Sequence, residues 1–141
     1  MKTKLHVTPG HREYGKYSRV AKKAYRAAMR YENAAGHADL YICSDTEICE
    51  LNLKFRNTDK HTDVLSFPSG EKDFLGDIAI SYDSAKRQAE EFGHTLSREI
   101  SFLTVHAVLH LLGFDHISED EEATMRLHAR EILKILKLEV E

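Results

Sequence analysis

The sequence predicts an α+β fold: one domain over residues 1–141, with a small four-stranded mixed sheet packed by about five helices. Three observations predict it. The chain has 141 residues, 42% apolar and 30% charged, the size and make-up of one globular core. Four short segments with strand character are interleaved with segments of helical period. No internal repeat, low-complexity tract or Pro/Gly-rich linker divides them.

Each element has a local cause. Lys4–Thr8 alternates and runs into Pro9-Gly10, which reads as a short strand. From Tyr14 to Glu32 the period is helical, with Tyr17, Val20, Ala24, Ala28 and Tyr31 on one face and Arg19, Lys22, Lys23, Arg26 and Arg30 on another. Asp39–Cys43 is a second strand, and Ser44 or Asp45 caps a helix running to about Arg56, with Glu47 in its first turn. Asp63–Phe67, closed by Pro68, is a third strand, and Leu75–Ser81 is a fourth. The short link between these two predicts an antiparallel pair, whereas the helical crossovers before strands two and three predict parallel neighbours there. Asp83–Phe92 is a helix stopped by Gly93, and Thr95 or Ser97 opens another that runs to Leu112 and stops at Gly113. Ser118 with Glu121 forms a capping box for a last helix to about Leu138.

Composition excludes several classes. No stretch approaches the roughly 20 apolar residues of a membrane span. The opening residues carry lysines with no apolar run behind them, and two cysteines, Cys43 and Cys49, are too few for a disulfide scaffold. Both cysteines read as small buried hydrophobes. A cytoplasmic protein is expected. Net charge is −3, yet residues 1–30 hold nine Lys and Arg against one acid, Glu13. That basic segment suits either phosphate attraction or a solvated helix face. Its opposite face is Ala and Tyr rather than a Leu/Phe/Trp wedge, so a membrane surface is not expected as partner.

Residues 106–116, HAVLHLLGFDH, carry the chemistry. His106 and His110 project from one helix face about one turn apart, a spacing that lets two imidazoles reach one ion at about 2.0–2.1 Å. Gly113 ends the helix, and the chain can return His116 as a third ligand at that C-terminal end of a core helix. Phe102, Val105, Leu109 and Leu112 form the neighbouring stripe that anchors it. One divalent ion satisfies three imidazoles that would otherwise need three separate partners. Three ligands leave a position for water, which is the pattern of a hydrolytic rather than a structural zinc site. Zinc is expected, one per chain, although nickel or another borderline ion also fits imidazoles. The same spacing occurs in metzincin proteases, where a Glu follows the first His as general base. Here Ala107 stands in its place, which makes peptide hydrolysis the least favoured reading.

Three further stretches join this one: residues 51–68 (LNLKFRNTDKHTDVLSFP), residues 75–81 (LGDIAIS), and Gly93-His94 followed by Arg98-Glu99. Together they resemble the YbeY family of bacterial rRNA maturation factors, over roughly two-thirds of the chain from about Ile48 onward. The resemblance implies a zinc-dependent endoribonuclease specific for single strands, acting in 3′-end processing of small-subunit rRNA and in ribosome quality control. It implies RNA, not DNA, as substrate, and the ribosome or its assembly proteins as partners. The alternative is a ribosome-associated binding factor whose metal only stiffens the fold. This chain has Ala107 and Asn57 where the family usually has Gly, Phe114 for Tyr, and His61 for Pro. Asn tolerates the left-handed conformation that a Gly supplies, so Asn57 is a mild change.

Arg56 closes the second helix and matches the family's motif arginine, which gives it the catalytic role of stabilising charge on phosphate oxygens. Read from spacing alone, it is equally an Arg placed well at a helix C-terminus. Asp115 is either an acceptor for a ligand imidazole or a turn former. His94 either contacts substrate or caps a helix end, and His61 has no assigned part. Met125 is expected in the core, and His6, His11, His37 and His128, without ligand spacing, on the surface.

Overall fold

Four short strands carry apolar residues on both of their faces, and helices cover each face. The computed structural model describes residues 2–115 and 118–138. In chain order these form β1 (Lys4–Pro9), a 3-10 helix (Arg12–Tyr17), α1 (Ser18–Tyr31), β2 (His37–Cys43), α2 (Asp45–Arg56), β3 (Val64–Pro68), β4 (Phe74–Ser81), α3 (Tyr82–Phe92), α4 (Leu96–Leu111) and α5 (Glu119–Ile135). The expected α+β class, with a four-stranded mixed sheet and five α-helices among the described residues, is what forms.

The strand order is β1-β2-β4-β3. β1 and β4 both run parallel to β2, and β3 runs antiparallel to β4. This corrects one expectation. β3 is neither parallel to β2 nor beside it. The link of residues 69–73 is too short for anything but a hairpin. Because β4 is parallel to β2, its hairpin partner has to oppose both. The crossover unit is therefore β2–α2–β3–β4, and β3 ends up as the edge strand.

One sheet face, carrying Leu5, Leu40, Ile42, Ile78 and Ile80, packs against Ala24, Tyr25, Ala28 and Met29 of α1 and Ile100, Leu103, Val108 and Leu109 of α4. α5 joins this core through Met125, Ala129, Ile132 and Leu133. On the other face α2 covers a smaller cluster of Cys43, Ile48, Leu65 and Ala79. Burial pushes the Cys43 thiol up to about 12, so it is an inert core group. The first helical segment starts differently from expectation: residues 12–17 wind as a 3-10 helix that buries Tyr14 against Tyr82 at 4.2 Å between ring centroids. Gly15, a poor helix former, lies in that segment. On α1 the basic residues Arg19, Lys23, Arg26 and Arg30 stay exposed. No helix among the described residues is long and apolar enough to cross a membrane.

Ser44, rather than Asp45, caps α2, and Ser118 caps α5 with its hydroxyl accepting from the Glu121 N–H at 3.1 Å, one half of the box expected there. The Ser44 hydroxyl accepts from the Glu47 N–H at 3.2 Å while the Glu47 carboxylate accepts from the Ser44 N–H at 2.9 Å. Asn57 takes the left-handed position, φ 53°, that ends α2. Glu47 also accepts from the Tyr41 hydroxyl at 2.6 Å, and His11 Nε2 lies 3.0 Å from it. The Tyr41 bond above all holds its carboxyl down at about 2. A depressed carboxylate contributes stability at pH values above its ordinary pKa and loses it as pH falls through the folded value. Urea unfolding across pH is therefore expected to weaken between about pH 4.5 and pH 2. At pH 7 Glu47→Gln is expected to cost about 1–2 kcal/mol, since solvent screens this partly exposed group, and to flatten that acid limb.

Candidate active site

α4 is the buried axis of the molecule. Thr95 caps it by accepting from the Arg98 N–H at 3.1 Å, and ten of its residues are buried, from Glu99 to Leu111. The anchoring surface is thus far wider than the stripe expected from sequence. One partly open face remains, carrying Phe102, His106 and His110. The two imidazole centroids lie 5.1 Å apart with the rings inclined at 64°, and the Phe102 ring sits 6.0 Å from that of His106. Gly113, at φ 103°, then turns the chain, and the Phe114 N–H closes the helix end on the Leu109 carbonyl at 2.9 Å.

His106 and His110 open onto a cleft of about 660 Å³ between the end of α4 and β3, whose walls include Arg56, Asp63, Ser66 and Asp115. Arg56 reaches it from α2, on the opposite side of the sheet. Its Nη2 donates to the Ser66 carbonyl at 2.6 Å, and its guanidinium carbon lies 5.1 Å from the Phe67 ring centroid. The left-handed Asn57 turns the chain immediately after the arginine. Three of the expected residues, His106, His110 and Arg56, therefore meet at one cleft, with Asp115 beside them.

The expected third ligand, His116, lies outside the described residues. Among the described residues no three His, Cys, Asp or Glu side chains are grouped closely enough to hold a cation. The donor chemistry of the pair is nevertheless right for a borderline divalent ion: two imidazoles one helical turn apart, half-buried, facing one cleft.

His94 belongs elsewhere. Its Nδ1 is 3.8 Å from Glu99, a buried carboxyl in the first turn of α4 that burial pushes above the usual carboxylate range despite the neighbouring imidazole. Asp63, which lines the cleft, accepts from Gln88 Nε2 at 3.2 Å. His61 is exposed. Met125 is in the core as expected. His128 is not the surface group expected: its Nδ1 lies 2.6 Å from Glu32 Oε2, and its ring packs 4.8 Å from that of Phe114. The signal was there in its spacing. His128 stands three residues after Met125 and one before Ala129, on the helix face that α5 buries.

Known proteins align with this chain along most of its length. A family model described as Endoribonuclease YbeY matches residues 8–137. Endoribonuclease YbeY of Carboxydothermus hydrogenoformans is 43% identical over 123 residues, covering 85% of this chain and 86% of that protein. Endoribonuclease YbeY of Caldicellulosiruptor bescii is 49% identical over 112 residues, covering 69% and 71% of the two chains. A solution structure of a Thermotoga maritima protein superposes with a TM-score of 0.66 at 28% identity, covering 94% of this chain and 91% of that one. Matched from within its first strand to just past its last helix, this chain belongs to the YbeY family.

Proposed function

We propose that this chain is a divalent-metal-dependent endoribonuclease that cuts single-stranded RNA, with zinc as the ion and rRNA maturation and ribosome quality control as the setting. The observation that carries the reading is the convergence of two helical imidazoles and a tethered guanidinium on one cleft. That its relatives are named as endoribonucleases supports the reaction class.

His106 and His110, with His116 as the third imidazole, would hold the ion; when bound it supplies Lewis acidity and acidifies water. The protein's own groups do the rest. Arg56 is held at one nitrogen by the Ser66 carbonyl, so its planar fork is oriented before substrate arrives. Its remaining N–H groups are available to nonbridging phosphate oxygens as charge builds on them. Packing of Phe114 on His128 fixes the entry to the loop that follows α4. Asp115, at the cleft wall, is placed to accept a hydrogen bond from an imidazole or from substrate.

Single-turnover cleavage of end-labelled RNA tests this. Cutting of a single strand is expected to stop on chelation, return with zinc, and spare a duplex of the same sequence. Arg56→Lys keeps the charge but loses the planar fork that Ser66 orients, and its rate is expected to fall about 10²-fold. Chelator-resistant cutting, or a lysine variant at the wild-type rate, overturns the reading.

A further inference from the structure

The cleft wall opposite the histidines is main chain as much as side chain. In an antiparallel pair, alternate residues turn both N–H and C=O toward the partner strand and the residues between them turn both away. The Ser81 N–H donates to the Asp63 carbonyl at 2.9 Å, and the Ser69 N–H donates to the Leu75 carbonyl at 2.9 Å. With the register Leu65↔Ala79 and Phe67↔Asp77, the odd-numbered residues of β3 face β4. Val64 and Ser66 therefore present their backbone groups on the outer edge, and the Arg56 bond to the Ser66 carbonyl confirms that direction. Both residues line the cleft that holds His106 and His110. Pro68, without an N–H, ends the edge.

The two positions offer different chemistry. At Ser66 the carbonyl is taken by Arg56, so an N–H and a guanidinium stand together, donors only, as a phosphate requires. At Val64, about 6.8 Å further along the strand, a donor and an acceptor stand side by side. The Watson–Crick edge of every nucleobase also sets a donor beside an acceptor, and in a duplex that edge is already occupied. A peptide strand fits less well. Adding to this edge, it would need the Ser66 carbonyl as an acceptor, and Arg56 covers it.

We propose that the outer edge of β3 is a nucleotide subsite, in which the Val64 N–H and C=O pair with the Watson–Crick edge of an unpaired base while the Ser66 N–H and Arg56 hold a neighbouring phosphate. It rests on the nuclease reading above and deepens it: the preference for single strands then comes from backbone, with little regard for base sequence.

Oligouridylate and the same oligomer built from N3-methyluridine, whose Watson–Crick edge is blocked, separate the possibilities in single-turnover titrations of the zinc-loaded protein. The half-saturating concentration of wild type and of Val64→Ala is expected to rise about tenfold on methylation. Val64→Pro, which lacks the N–H at an edge position that tolerates proline, is expected to handle both RNAs as wild type handles the methylated one. Equal half-saturation of the two RNAs by wild type overturns the subsite and leaves the nuclease reading standing. Undiminished discrimination by Val64→Pro also overturns it. Cleavage of neither RNA overturns the nuclease reading and the subsite together. Displacement of the RNA by a capped Val-Thr hexapeptide as effective as oligouridylate makes the edge a peptide site instead.

Discussion

His110→Ala is expected to lower single-turnover cleavage of single-stranded RNA by at least about 10³-fold, with a folded protein left behind. The imidazole lies on the partly open face of α4, in the last turn, and its ring packs beside that of His106 on that face rather than in the apolar core. Alanine is the better helix former, and the position is half-buried rather than in the core. With metal removed from both proteins by chelator, so that lost metal binding does not enter the comparison, thermal or urea unfolding is expected to move by no more than about 1 kcal/mol. The split between the two readouts is the diagnostic part. A variant that unfolds has lost core packing, and one that folds but retains activity within tenfold shows that the imidazole has no part in the reaction.

Gly76→Ala is expected to destabilise the fold by about 3 kcal/mol or more. Gly76 sits at φ 145°, a conformation that L side chains rarely adopt, opposite Pro68 in the β3–β4 register. A Cβ there would overlap the Phe67 carbonyl oxygen and press on Pro68. The backbone of β3 would have to move away from β4, which takes Ser66 and the arginine tied to it out of position. Against a total stability of about 5–15 kcal/mol for a domain of this size, that is a large fraction. Urea denaturation measures it directly, and a midpoint unchanged from wild type would mean that the hairpin yields more easily than its geometry implies. Cleavage is expected to fall with stability, because the wall of the cleft moves as a unit.

What could be read from the residues alone follows from the range of the forces involved. The Ser44 cap, the Ser118 cap, and the stops at Gly93 and Gly113 are local hydrogen-bond chemistry, and all four stand where the residues place them. The pair His106 and His110 was legible for the same reason, since helical geometry alone puts them on one face. The position of β3 was not. Crossover helices argue for parallel neighbours only when the next strand is free to align, and the short 69–73 link removed that freedom. Arg56 was singled out, but its tether to Ser66 depends on α2 and β3 flanking the same sheet edge, which no local pattern encodes. His128 shows the opposite failure: a ligand-spacing test asked the wrong question of a residue whose neighbours Met125 and Ala129 already marked a buried face.

Elemental analysis of the chain purified without a metal-chelating column, beside His106→Ala and His110→Ala, tests most directly whether these imidazoles grip a cation. About one zinc or similar ion per wild-type chain is expected, with either variant falling well below that. Wild-type protein that carries no stoichiometric metal and still cleaves RNA at full rate in chelator would contradict it.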